Sequence, residues 1–159
     1  MVLAKIAQAT SAEDFAAGKL LIQEYATALG VDLCFQNFSE EIASLTALYG
    51  PPHGCLLIAR NNDELAGCIA LRSREAAVCE MKRLYIRPPY RGAGLGRVLA
   101  ESIIGRARKL GYARMVLDTL SSMTEAQSLY ESLGFREVEG YYLNPLNGVR
   151  YLALELVAP

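Results

Sequence analysis

Three glycines at alternate positions, Gly92, Gly94 and Gly96 in "YRGAGLGRVLAESI", constrain this chain more than any other feature. They stand between the apolar-rich run "MKRLYIRP" and an amphipathic helical pattern, and so mark a strand-to-helix junction. Glycine brings backbone without Cβ, admits dihedrals closed to other residues, and lets N–H groups come close to a ligand. At a helix start those donors have no intrahelical partner and the dipole favours an anion, so the junction reads as a phosphate cradle. Two other phosphate loops match poorly. A dinucleotide-binding unit needs G-x-G-x-x-G early in the chain and an acidic residue about 20 positions on, for which Asp118 is a loose candidate; a P-loop needs GK[ST], which is absent.

The surrounding pattern supplies the other elements. A short strand over 5–9 precedes a helix capped by Thr10 or Ser11, with Glu13 and Asp14 in its first turn and Gly30 as its stop. Ile42, Leu45 and Leu48 predict a second helix over 39–48, ended by "YGPP". "GCLLIAR", "NNDE" and "LAGCIALRS" predict a hairpin of two mostly buried strands, and "AVCEMKRLYIRP" a third and longer strand ended by Pro88 and Pro89. Leu95, Val98, Leu99, Ile103, Ala107 and Leu110 form the stripe of a core-facing helix closed by Gly111. "ARMVLDTL" predicts a strand. "SSMTEAQSLYESLGF" predicts a helix with a Ser122–Glu125 capping box, an apolar face of Met123, Ala126, Leu129, Tyr130 and Leu133, and Gly134 as stop. Strands near 136–139 and 150–157 follow. The order β-α-α-β-β-β-α-β-α-β-β implies a single α/β domain over residues 1–159, a mixed sheet with helices on both faces.

With 159 residues, 52% hydrophobic and 21% charged, the chain is long enough to bury a core and has a soluble globular composition. A net charge of −1 gives no basic field for nucleic acid or an anionic membrane, so neither partner is expected. The start, "MVLAKIAQATSAEDF", lacks an apolar stretch of signal-peptide length, and no segment reaches the roughly 20 apolar residues of a membrane span, which predicts a cytoplasmic protein. Cys34, Cys55, Cys68 and Cys79 form no CxxC and have only His53 as a companion imidazole, so reduced core thiols without a metal are expected.

The pattern Arg91-x-x-Gly94-x-Gly96, following a strand and opening a helix, resembles the pyrophosphate-binding motif of the GNAT superfamily of acyl-CoA-dependent N-acyltransferases. "LYIRPPYRGAGLGRVL" is similar to that family's central strand, loop and helix, and "AQSLYESLGF" to its later helix and exit. With the element order on both sides, the similarity spans nearly the whole chain. The resemblance implies a GNAT-like domain with a mixed, mostly antiparallel twisted sheet. It also implies direct transfer of an acetyl group from acetyl-CoA to a primary amine of a small molecule or peptide in a ternary complex, without a metal. Arg91, Gly92, Ala93, Gly94, Leu95, Gly96 and Arg97 would then wrap the pyrophosphate of coenzyme A, chiefly through backbone amides, as an anion nest at a helix start allows. Leu84, Tyr85 and Ile86, on a strand that splays from its neighbour, would offer backbone to the pantetheine arm, and an amide at Ile86 or nearby would polarise the thioester oxygen.

The same resemblance places Tyr130 near the sulfur, as general acid to the departing thiolate, although it also continues an apolar helix face and so fits a core role. Glu80 stands where some members keep a glutamate that deprotonates the acceptor ammonium; Lys82, two residues on, allows a plain salt bridge instead. The asparagine often found seven residues before the tyrosine is Met123 here, a departure that slightly favours the alternative of a non-catalytic acyl-CoA-binding or sensing module. For the acceptor pocket the matching stretches offer Tyr25, Gln36, Phe38, Tyr141, Tyr142 and Asn144, together with Phe35; Tyr25 and Phe35 fit the core equally well. Arg72, with Arg74, Lys82 and Arg83, would favour an acceptor carboxylate, and a strand edge paired with Glu75 and Glu80 accounts for them as well. The hydrophobic content permits a homodimer, and a protein-modifying role would need a groove for extended peptide.

Overall fold

A computed structural model of the chain describes residues 4–30, 33 and 37–157; the candidate Gln36, with Cys34 and Phe35, lies outside the described residues. The architecture follows from alternation in the hairpin strands. In β2 (Cys55–Asn61), Cys55, Leu57 and Ala59 join one buried cluster, while Leu56 and Ile58 join another. In β3 (Glu64–Glu75), Ile69 and Leu71 separate from Cys68 and Ala70 in the same way. Strands apolar on both sides need cover on both sides. Helices α1 (Ala12–Leu29), α2 (Phe38–Ala43) and α3 (Leu45–Tyr49) cover one face, and α4 (Leu95–Lys109) and α5 (Thr124–Ser132) the other.

With β1 (Lys5–Gln8), β4 (Val78–Ile86), β5 (Arg114–Leu120), β6 (Arg136–Val138) and β7 (Val149–Glu155), the sheet has seven strands in the order β1-β2-β3-β4-β5-β7-β6. Every neighbouring pair is antiparallel except β4–β5, which is parallel. The mixed, mostly antiparallel sheet matches the sequence expectation, and so does the element order except that three helices, not two, separate β1 from β2.

Several local expectations hold and several shift. Ser11 caps α1 and exchanges hydrogen bonds with Asp14, and the helix stops at Gly30 with φ 71. The helix expected over 39–48 is two helices, broken at Ser44, and the break turns both Leu45 and Tyr49 into the core. The Ser122–Glu125 box does not form: the Met123 N–H closes a turn onto the Leu120 carbonyl, so Met123 takes the cap position without a side-chain capping bond. Val98 and Leu110 are 48% and 43% exposed, flanking a buried stripe of Leu95, Leu99, Ala100, Ile103, Ile104 and Ala107. At 12 residues β3 is longer than β4 at 9, because its pairing with β2 starts at Glu64 and its pairing with β4 runs on to Glu75, whereas β5 meets β4 only within the stretch already paired with β3. Cys55, Cys68 and Cys79 are free and buried; burial pushes their thiols up to about 11, 12 and 12.

Two irregularities in β4 shape the site. Its parallel pairing with β5 covers only Val78↔Arg114 to Glu80↔Val116, after which the strands part. Its register against β3 jumps from Ala70↔Lys82 to Cys68↔Tyr85, one residue more on β4 than on β3, with Arg83 in the left-handed region at φ 62. Such a bulge reverses the strand's phase. Lys82 and Arg83 therefore come to the same side, and Leu84 and Ile86 pack with the α4 cluster in place of Arg83 and Tyr85.

Candidate active site

The glycine junction is built as an open cradle. Gly92 and Gly94 have φ 83 and 84, and a Cβ at either would meet nothing within 4 Å. The left-handed dihedrals call for glycine, and the space beside them is left clear. Gly94 is the cap of α4, and the first intrahelical bond runs from the Val98 N–H to the Gly94 carbonyl. The amides before it have no acceptor in the helix and face the positive end of its dipole.

A cavity of about 500 Å³ leads away from this cradle. Leu84, Tyr85 and Ile86 form one wall, and Arg91, Gly92, Gly94, Leu95 and Gly96 the end. Met123, Ala126, Leu129 and Tyr130 of α5 form the opposite wall. Of the expected cradle residues, Ala93 and Arg97 are not on its surface. Arg97 turns along the outside, donating to Ser132 Oγ and pairing with Glu101 at 3.5 Å. Arg91 folds back, its Nε donating to the Ile86 carbonyl at 2.8 Å.

A second, smaller cavity of about 50 Å³ lies where β4 and β5 part, between Lys82 and Arg83 on one strand and Asp118 and Thr119 on the other, with Asn144 and Leu146 beside it. Tyr25, Leu29, Leu84, Met123 and Tyr130 line both cavities, so the two meet there. Tyr130 is 7% exposed, stacks edge-on against Phe135, and among the described residues its hydroxyl makes no hydrogen bond. Burial pushes the phenol well up, with Tyr25 and Asp118 adding to the effect, so it keeps its proton.

The expected acceptor residues divide. Tyr25 lines the meeting point and is raised by burial, with the Arg83 charge opposing. Asn144 lines the inner cavity, and it and Tyr142 hold Asp118: the Tyr142 hydroxyl and the Asn144 amide donate to Asp118 Oδ2 at 2.5 and 3.1 Å. Phe38 lies under the Arg83 guanidinium at 5.5 Å. Glu80 is on the wall of neither cavity. It is 2% exposed, accepts from the Tyr141 hydroxyl at 2.8 Å, and pairs with Arg72 at 3.5 Å and Arg74 at 3.8 Å. Its surroundings are two guanidinium groups and a phenol, and Arg72 and Tyr141 are occupied with it. Arg83 is occupied as well, bonded through Nη2 and Nε to Glu41 at 2.6 and 2.8 Å, with the Tyr49 hydroxyl donating to the same carboxylate.

Sequence reasoning did not single out two residues of the inner wall: Asp118, weighed only as a loose acidic match for a dinucleotide site, and Lys82, one of four cations that would favour an acceptor carboxylate. Asp118 carried a signal, a charge in the middle of the apolar strand "ARMVLDTL". Lys82 stood among four cations with nothing to single it out. Among the described residues no three of His, Cys, Asp and Glu group to hold a metal, and no helix is long and apolar enough to cross a membrane.

Comparison with known proteins bears on the family and the fold. The model of the acetyltransferase (GNAT) family matches residues 20–135. An uncharacterised N-acetyltransferase of Schizosaccharomyces pombe is 48% identical over 87% of this chain and 86% of its own length. An N-acetylaspartate synthetase of Danio rerio is 34% identical over 62% of this chain and 36% of its own. Among solved structures, an acetyltransferase of Streptococcus agalactiae superposes with a TM-score of 0.76 at 24% identity, covering 96% of this chain and 98% of that one. A Salmonella typhimurium protein described as an acetyltransferase with its cofactor acetyl-CoA superposes at 0.68, with 22% identity, over 97% of this chain and 94% of that one.

Proposed function

The chain belongs to the acetyltransferase (GNAT) family, and we propose that it moves an acetyl group from acetyl-CoA directly to the primary amine of a small molecule in a ternary complex. The residues fit the donor. The cleared surface at Gly92 and Gly94 and the free amides at the start of α4 suit a pyrophosphate, and the outer cavity runs from there along Leu84–Ile86 to Tyr130. When bound, acetyl-CoA supplies an acetyl group activated as a thioester. The parting of β4 from β5 after Glu80 leaves amides of β4 without a strand partner, available to hydrogen-bond the thioester oxygen.

The observation that carries the reading is Tyr130, a protonated phenol with no hydrogen bond among the described residues, set where the donor cavity meets the inner one. It holds its proton for the departing sulfur. In the balanced reaction an acceptor ammonium loses two protons, the C–N bond forms and the C–S bond breaks; one proton ends on the coenzyme thiol and the other in solvent. Glu80, held by Arg72, Arg74 and Tyr141, acts at one remove by fixing the 141–144 segment beside Asp118.

Thiol release from acetyl-CoA with a panel of amines tests the proposal. The wild type is expected to turn over, and Tyr130→Phe to lose about 10²–10⁴ in kcat with the melting temperature kept. Acetyl-CoA binding without thiol release from any amine would favour the binding module instead. Full kcat in Tyr130→Phe would remove the acid role.

A further inference from the structure

We propose, on the footing of the acetyl-transfer reading, that the acceptor is a small α-amino acid in its dipolar form, its carboxylate held by Lys82 and its ammonium by Asp118. The register carries the argument. β4 and β5 are last paired at Glu80↔Val116, and Lys82 and Asp118 each lie two residues further on. They share the side of the sheet away from Met81, Met115 and Leu117, which belong to the α4 cluster. One cation and one anion thus face each other across the opening between the strands, with the inner cavity between them.

The other cations of these middle strands are committed. Arg72 and Arg74 attend Glu80, and Arg83 is held by Glu41. Lys82 makes no hydrogen bond or ion pair within 4 Å among the described residues, and burial, then the Arg83 charge, lower the pKa of its ammonium. A charge drawn into such a place costs free energy until a counter-charge joins it, and an acceptor carboxylate supplies one. Opposite, the Tyr142 hydroxyl and the Asn144 amide donate to Asp118 and orient its carboxylate. The inner cavity is small, so it suits an amino-acid head group, with ammonium and carboxylate on one carbon. An amine at a peptide N-terminus has no carboxylate at that distance and would leave Lys82 without a partner.

The test compares thiol release for the twenty standard amino acids with that for their C-terminal amides and their decarboxylated amines. At least one amino acid is expected to exceed both its counterparts in kcat/KM by about tenfold or more, the scale of a charge-assisted hydrogen bond. Lys82→Met is expected to shrink that ratio by about tenfold, chiefly through the KM of the amino acid, and Lys82→Arg to restore part of it. Amides or decarboxylated amines that match or exceed every amino acid would overturn the proposal, and so would a ratio unchanged in Lys82→Met. The wild-type comparison needs no variant to fold. Turnover confined to amines without a carboxylate would sink this assignment and leave acetyl transfer standing; absence of acetyl-CoA binding would sink both.

Discussion

Replacing Glu41 with glutamine tests the tie between the first helices and the strand that forms the inner cavity. The helix α2 has six residues, and its cap, Asn37, makes no side-chain capping bond. A helix that short does not hold itself in water. What anchors it is Glu41, 4% exposed, against Arg83, 6% exposed, at the bulge of β4. The guanidinium grips both carboxylate oxygens, at 2.6 and 2.8 Å, and the Tyr49 hydroxyl adds a third bond at 2.9 Å. Removing one member of a buried pair costs about 3–5 kcal/mol. Glutamine keeps the shape and one acceptor, which puts Glu41→Gln near the lower end, about 3 kcal/mol, or a fall in melting temperature of about 6–12 °C for a domain of this size.

Urea unfolding at pH 7 reads this directly, and the double variant Glu41→Leu with Arg83→Met separates the pair from its desolvation. Two apolar side chains in place of the pair are expected to recover most of the loss. The acid limb gives a second reading. Burial raises the Glu41 pKa, but the hydrogen bonds and charge of Arg83 outweigh it, and the net value lies below that of an ordinary carboxylate. A depressed folded pKa contributes stability that is present above the unfolded value of about 4.3 and lost as pH falls through the folded one. The wild type should therefore lose stability below about pH 4 more steeply than Glu41→Gln. A loss under about 1 kcal/mol at pH 7, the scale of a surface pair, together with parallel acid limbs, would refute the reasoning.

Gly94→Ala is expected to cost about 1–2 kcal/mol, because φ 84 is strained for any L side chain while the added Cβ meets nothing within 4 Å. The new methyl would stand on the cradle surface, so the KM for acetyl-CoA should rise several-fold; an unchanged KM would argue against the cradle. Met123→Asn should raise the melting temperature by about 2–4 °C, since asparagine can cap α5 where Met123 makes no side-chain capping bond. A lower melting temperature would mean that the packing of Met123 between the two cavities, with its contact to Thr119 at 3.9 Å, outweighs the cap.

What was legible in the sequence is what local chemistry decides. Apolar residues on both sides of β2 and β3 announce a sheet covered on both faces, the Ser11–Asp14 exchange lies within one turn, and the glycine cradle is a single short stretch read against its own strand and helix. The breaks came where tertiary packing overrode spacing. Ser44 interrupts a helical pattern so that Leu45 and Tyr49 both reach the core, and Met123 displaces Ser122 as a cap because its N–H is taken up by a turn.

The acceptor side resisted for a deeper reason. Period-two reading puts Arg83 with Met81 on the α4 face; the bulge reverses that phase, and it is held by a glutamate 42 positions earlier. Four cations in the middle strands are equivalent as letters and differ only in partners: Glu80 takes two, Glu41 takes one, and Lys82 is left facing Asp118. On the proposed assignment, substrate choice in this site rests on which charges the fold has already neutralised. On the amino-acid assignment, removing Glu80 would leave Arg72 and Arg74 to compete with Lys82, which would make that buried carboxylate part of the selectivity of a pocket it does not line.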